Sequence, residues 1–167
     1  MKRLAWLSVC LLGCALGVRP AAAQTHGSPG FDKMKVLVGE WEGKAADGKV
    51  AQVSYKLVSS GTALMESLQP EGESEMVTMY TADGKRVAVT HYCSANNQPR
   101  MQTIPLSASP QKLDFTYVGV TNLASPSAGH MNRLVVAFQD DDHFSQDWTW
   151  KEPGKEKVET FHFTRKK

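Results

Sequence analysis

Glu40-Trp41-Glu42-Gly43-Lys44-Ala45-Ala46-Asp47-Gly48-Lys49-Val50-Ala51-Gln52-Val53-Ser54-Tyr55-Lys56-Leu57-Val58 contains two strand-length segments folded about one turn signal. Asp47-Gly48 predicts a tight hairpin, because glycine accepts the positive φ such turns need. Beyond the turn, Val53, Tyr55 and Leu57 alternate with Gln52, Ser54 and Lys56, the period of a strand with one dry face. Nothing in the stretch has the spacing of a helix. The unit is a hairpin, and the question is how often it recurs.

It recurs along most of the chain. Asp83-Gly84 is a second strong turn signal, and Ser60-Gly61, Asp140 to Asp142 and Pro153-Gly154 supply three more. Between them lie segments rich in Val, Thr, Tyr, Phe and Trp. The reading gives ten strands: 40–46, 50–58, 63–69, 76–81, 86–94, 100–106, 112–120, 130–139, 143–151 and 157–165. Helical spacing appears once, where Phe31, Met34, Leu37 and Val38 predict a short helix or 3₁₀ turn before Gly39. Hairpin after hairpin predicts an all-β antiparallel up-and-down β-barrel of about ten strands with a short N-terminal helix, over residues 31–167. Closing the sheet removes the exposed edges that would invite aggregation. Two connections are longer: Pro70–Ser74, and Thr121–Gly129 (TNLASPSAG), small and polar enough for a flap at one mouth of the barrel.

Alternation also assigns faces. Phe144, Gln146, Trp148 and Trp150 oppose His143, Ser145, Asp147 and Thr149, while Leu113, Phe115 and Tyr117 oppose Asp114 and Thr116. His91 and Cys93 share the face of Val87 and Val89, and so are expected to point inward. His130 and Asn132 share the Leu134 side, with Arg133 outward. Met76 to Tyr80 carries apolar groups on both faces and stays ambiguous. Asn96-Asn97-Gln98-Pro99-Arg100 reads as a turn, since asparagine tolerates left-handed geometry and Pro99 interrupts a ladder. Its carboxamides and guanidinium are also placed to hold an acidic head group at a cavity rim.

The ends and the charge set the context. Met1-Lys2-Arg3, an uncharged run from Leu4 to Leu16, and Ala21-Ala22-Ala23 together describe a secretory signal peptide over residues 1–23. The run is too short for a transmembrane helix, which takes about 20 apolar residues. Leu11-Leu12-Gly13-Cys14 offers the competing reading, a lipid anchor at Cys14. Residues 24–30 read as a flexible lead-in. The whole chain carries 19 Lys and Arg against 17 Asp and Glu. Loss of Lys2, Arg3 and Arg19 leaves 16 against 17, a charge of −1. That balance argues against a basic nucleic-acid footprint. Cleavage also removes Cys10 and Cys14, so Cys93 has no intramolecular partner and the core alone must hold the fold.

With the hairpin pattern in place, Leu37-Val38-Gly39-Glu40-Trp41 acquires a further meaning. A helical turn followed by G-x-W at the first strand resembles the calycin superfamily of lipocalins and fatty-acid-binding proteins. Gly39-Glu40-Trp41-Glu42-Gly43 is similar to the G-x-W-x-G opening of nitrobindin-type haem barrels. The remaining chain looks like exported bacterial proteins with lipocalin-like domains. The resemblance implies that Trp41 closes the barrel under a basic side chain from the last strand, for which Arg165 is the match. Parity then turns Phe161 and Phe163 inward and His162 outward.

The expectation is an exported barrel, periplasmic or secreted, that binds a small hydrophobic or amphipathic molecule. His91, Cys93, Tyr117, His130, Asn132, Gln146 and Trp148 are the expected ligand-binding residues. No cofactor is predicted outright; haem, on His91 or His130, is the alternative the resemblance implies. Two further readings stay open: an enzyme using Cys93 with His91, and a filled barrel with a structural or interaction role. No CxxC or HExxH spacing announces a metal.

Overall fold

The computed structural model describes residues 27–167. The expected signal peptide, Cys14 and the first residues of the expected lead-in lie outside the described residues. A helix α1 (Pro29–Met34) and a 3₁₀ turn (Lys35–Leu37) precede ten strands. These are β1 (Gly39–Ala45), β2 (Val50–Val58), β3 (Ala63–Pro70), β4 (Met76–Asp83) and β5 (Arg86–Tyr92). They continue as β6 (Gln98–Gln102), β7 (Lys112–Thr121), β8 (His130–Phe138), β9 (His143–Glu152) and β10 (Lys155–Arg165). Each strand pairs antiparallel with its sequence neighbours, and β10 returns to pair with β1. The result is a closed up-and-down barrel.

Four of the connections and α1 gather at one end, the floor; the β1–β2, β3–β4, β5–β6, β7–β8 and β9–β10 connections ring the other, the mouth. At the floor Trp41 is buried and its indole N–H donates to the Leu37 carbonyl at 2.7 Å. Phe144 meets it edge-on at 4.7 Å and stacks on Phe163 at 4.8 Å. The Arg165 guanidinium lies 4.0 Å from the Trp41 ring centre, and its two terminal nitrogens donate to the Val36 and Val38 carbonyls. Gly43 has a packing reason. A Cβ there would come within 2.4 Å of the Phe163 ring, so the second glycine of G-x-W-x-G makes room for the aromatic plug.

The structure departs from the sequence reading in three places. The lead-in ends earlier, because Ser28 caps α1 by accepting from the Phe31 amide, and Pro29 enters the first turn where no N–H is missed. Val38 and Leu57, grouped with apolar neighbours by spacing, are exposed where the chain leaves the wall. The sixth strand is Gln98–Gln102 and not 100–106. Its turn closes at Asn97, whose carbonyl accepts from the Cys93 amide, and pairing with β5 starts only at Arg100. Pro99 therefore lies inside β6 but beyond the ladder with β5. Thr103 and Leu106 then cross the floor, Leu106 packing beside Gly30.

Candidate functional site

The interior is layered. Along β9 the inward residues run Phe144, Gln146, Trp148 and Trp150, from the floor to the mouth. Phe144 belongs to the plug. Gln146 belongs to a polar layer above it, and the two tryptophans face open space.

The polar layer centres on Glu66, fully buried on β3 between Leu64 and Leu68. Tyr80 Oη and Gln146 Nε2 both donate to its Oε2 at 2.8 Å, and Thr78 Oγ1 donates to its Oε1 at 3.2 Å. Gln146 also donates to Tyr55 Oη, and its own Oε1 accepts from the Trp148 indole at 3.1 Å. Among the described residues no cation touches the carboxylate. Burial pushes the Glu66 pKa up, while the hydrogen bonds from Tyr55, Tyr80, Gln146 and Thr78 pull it back. Burial and the nearby carboxylate raise both tyrosine hydroxyls well above their usual value.

His91 joins this layer to the space above. Its Nδ1 lies 2.9 Å from Thr78 Oγ1, and its ring packs at 4.5 Å on Trp148. Burial lowers its pKa to about 4, so the imidazole is neutral at ordinary pH. Nε2 has no partner. Among the described residues, it and Asn97 Oδ1 are the two buried side-chain polar atoms left unpaired.

Above His91 the barrel is hollow. A cavity of about 390 Å³ opens at the mouth, within the range of small-molecule sites, roughly 300–1,000 Å³. Leu68, Met76, Met131, Trp148, Trp150 and Phe161 supply its apolar wall. His91 lies at the base and Cys93 on the side. Glu73, Lys157 and Glu159 form a rim of mixed sign. Lys49, from the β1–β2 hairpin, pairs with Glu73 on the neighbouring β3–β4 turn. Gly129 packs flat against Trp150, where a Cβ would clash at 2.3 Å, and so lets the ring lie against the 121–129 segment.

The expected ligand-binding residues divide accordingly. His91, Cys93 and Trp148 line the cavity; Gln146 lies one layer below. Tyr117, His130 and Asn132 are outside the lining. For His130 and Asn132 the cause is an irregularity between Met131 and Arg133 in the β8–β9 pairing. It leaves Asn132 as an extra residue and reverses parity, so Met131 enters the wall in place of His130 and Asn132. A matching shift between Arg100 and Met101 disturbs β7. Tyr117 is 40% exposed and packs on the His130 ring at 5.0 Å. The carboxamide rim is also absent from the cavity. Asn97 Nδ2 donates to the Gly129 carbonyl, and Arg100 reaches over Gly119. Together with Thr121 to Gln98 and Asn122 to Asn96, these bonds tie the 121–129 segment to the β5–β6 turn.

Glu66 and Thr78 escaped the sequence reading. The available signal was parity: Glu66 falls on the Leu64 and Leu68 face, and Thr78 on the Met76 and Tyr80 face. Haem does not fit the two candidate histidines. His91 Nε2 is fully buried, and His130 lies outside the lining. Among the described residues no group of three His, Cys, Asp or Glu is arranged to hold a metal ion. Cys93 is half-buried, and burial raises its thiol pKa, the reverse of an activated nucleophile.

No protein-family model matches the chain, and no curated protein sequence does. Solved structures do resemble it. Rv2717c from M. tuberculosis aligns over 82% of this chain and 97% of its own with a TM-score of 0.61, at 11% identity. A DUF3598-family protein of unknown function from Nostoc punctiforme covers 80% of this chain and 49% of its own, at 14% identity and a TM-score of 0.44. EF1p2_mFAP2b, solved bound to DFHBI, covers 81% and 98% at 12% identity and 0.41. The first likeness speaks for the fold alone, an antiparallel barrel. No helix among the described residues is long and apolar enough to cross a membrane.

Proposed function

We propose that this protein is exported and holds one small, largely apolar molecule in the mouth of its barrel. The observation that carries the reading is the cavity: about 390 Å³, walled by methionine, leucine and aromatic side chains, with His91 at its base. Evenly packed interiors have few voids larger than a water molecule, so a hollow of this size at an open mouth is a site by default. Its dimensions suit a ring system or a short amphiphile. The mixed-sign rim would meet a polar end left in solvent. Export rests on the sequence of residues 1–23, and lipid attachment at Cys14 is the competing form of it.

Native mass spectrometry and solvent extraction of the purified protein test the binding. The expected result is a retained molecule, or one equivalent of an added naphthalene-based fluorophore. Cys93→Trp, which fills the cavity from its wall, should abolish that binding. A chain that retains nothing and binds no apolar probe overturns the reading. Cleavage after Ala23, read from the N-terminal sequence of protein secreted by a bacterial host, tests export.

A further inference from the structure

The cavity wall is not the same on its two sides. In the β9–β10 pairing Lys157 lies opposite Trp150, Glu159 opposite Trp148 and Phe161 opposite Gln146. Paired residues share a face of the sheet, so β10 sends a carboxylate inward at the level of Trp148, where it lines the cavity. Across the barrel Leu68, Met76 and Cys93, on or beside β3, β4 and β5, form an uncharged wall. Among the described residues Glu159 has no ion-pair partner, whereas Glu73 at the rim is held by Lys49. Lys157 is exposed, two residues nearer the mouth, where its long stem keeps the ammonium in water.

The rings beside that carboxylate are held from behind. Trp148 donates its N–H to Gln146 Oε1 at 3.1 Å and rests on the His91 ring. Trp150 lies flat against Gly129, and Phe161 packs on Phe163 at 6.0 Å. A partly buried carboxylate next to three fixed aromatic rings attracts a cation twice over, by its charge and by the negative ring faces.

Resting on the binding reading above, we propose that the ligand is an organic cation. Its N-alkylated ammonium sits between Glu159 and the Trp148 and Trp150 rings, and its apolar body lies against Leu68, Met76 and Cys93. The alkylation follows from what the site offers. A primary ammonium brings three N–H donors that need acceptors, and the surroundings of Glu159 are mostly rings and thioethers. An ammonium covered by methyl groups needs only a negative charge and aromatic faces.

Three probes of similar shape test this: benzyltrimethylammonium, its uncharged carbon isostere neopentylbenzene, and phenylmethanesulfonate. The wild-type protein should bind the cation about tenfold tighter than neopentylbenzene, with the sulfonate weakest. Glu159→Gln should erase that preference and keep the affinity for neopentylbenzene, which also shows that the variant is folded. Trp150→Leu should reduce the preference about threefold. Glu156→Gln alters a carboxylate paired with Lys151 outside the cavity lining and should change none of the three affinities. Neopentylbenzene bound as tightly as the cation, or a cation preference that survives Glu159→Gln, overturns the inference and leaves the binding reading standing. A sulfonate that binds best, and is lost in Lys157→Gln, overturns it in favour of an anion at the rim. If none of the three binds, the inference falls, and the naphthalene-based fluorophore decides separately whether the binding reading falls with it.

Discussion

Trp41, Phe144 and Phe163 meet ring against ring at the floor, with Arg165 laid across the outside. Trp148 and Trp150, on the same barrel and the same β9 face as Phe144, look into about 390 Å³ of space. Alternation is common to both ends, so it cannot account for the difference. What differs is what crosses the axis. At the floor, α1 and the 103–106 crossing cap the end, and Gly43 lets Phe163 in. At the mouth no element crosses, and Gly129 lets Trp150 lie back over the loop. Between the two ends the Glu66 layer separates a packed half from a hollow half.

The separation is broken most severely by Trp41→Ala. That change removes a fully buried indole, its bond to Leu37 and the seat of Arg165, and should cost about 3–5 kcal/mol in urea unfolding. Trp150→Ala at the half-open mouth should cost about 1 kcal/mol. Equal losses would mean that the mouth is as load-carrying as the floor and that the division fails.

The polar layer gives the next largest effect, through pH. His91 titrates near 4 when folded against 6.5 when exposed. The folded state therefore binds fewer protons through that interval. Its contribution is complete above pH 6.5 and is lost as pH falls towards 4, about 3 kcal/mol in all. Glu66, with its pKa raised, works in the opposite sense: its share is present below its ordinary value and is lost as pH rises through the raised one. The His91→Phe variant isolates the first term. Between about pH 7 and pH 4 it should lose less stability than wild type by that amount. Identical losses would show that His91 is not buried neutral.

Arg165→Lys sharpens the comparison from outside the plug. Lysine keeps the charge but not the planar fork that spans the Val36 and Val38 carbonyls while covering Trp41. The expected cost is about 1 kcal/mol in unfolding, with probe affinity at the mouth unchanged. A change in affinity would mean that the two ends communicate.

How far these regions were legible depends on whether a local rule survived to the end of the strand. Phe144, Gln146, Trp148 and Trp150 followed plain alternation, and all four point inward. The Asp47-Gly48 and Asp83-Gly84 turns gave the hairpins, and strand limits fell within two residues except for β6. There Pro99 was taken as a boundary, although pairing with β5 simply begins one residue later. His130 and Asn132 were misplaced because parity does not survive a bulge, and the shift after Met131 carries no residue-type signature. Glu66 was legible by parity and overlooked, since a lone carboxylate on an apolar face has no partner in sequence. Its Tyr80, Gln146 and Thr78 donors come from other strands and assemble only on closure.

Cys93 gives the smallest effect and the most specific one. Its thiol lies on the cavity wall and is half-buried, and desolvation holds it above the usual thiol range. Cys93→Ser changes little volume at a site already open to the mouth, so the unfolding free energy should move by less than about 0.5 kcal/mol. Alkylation is governed by the thiolate, which the raised pKa makes scarce near neutral pH. Iodoacetamide should therefore modify the folded protein more slowly than the urea-unfolded chain. A saturating naphthalene probe should slow it further by covering the sulfur, while leaving labelling of the unfolded chain unaffected. Rapid labelling that the probe does not slow would place Cys93 outside the occupied volume and shift the ligand towards Trp148 and Met131.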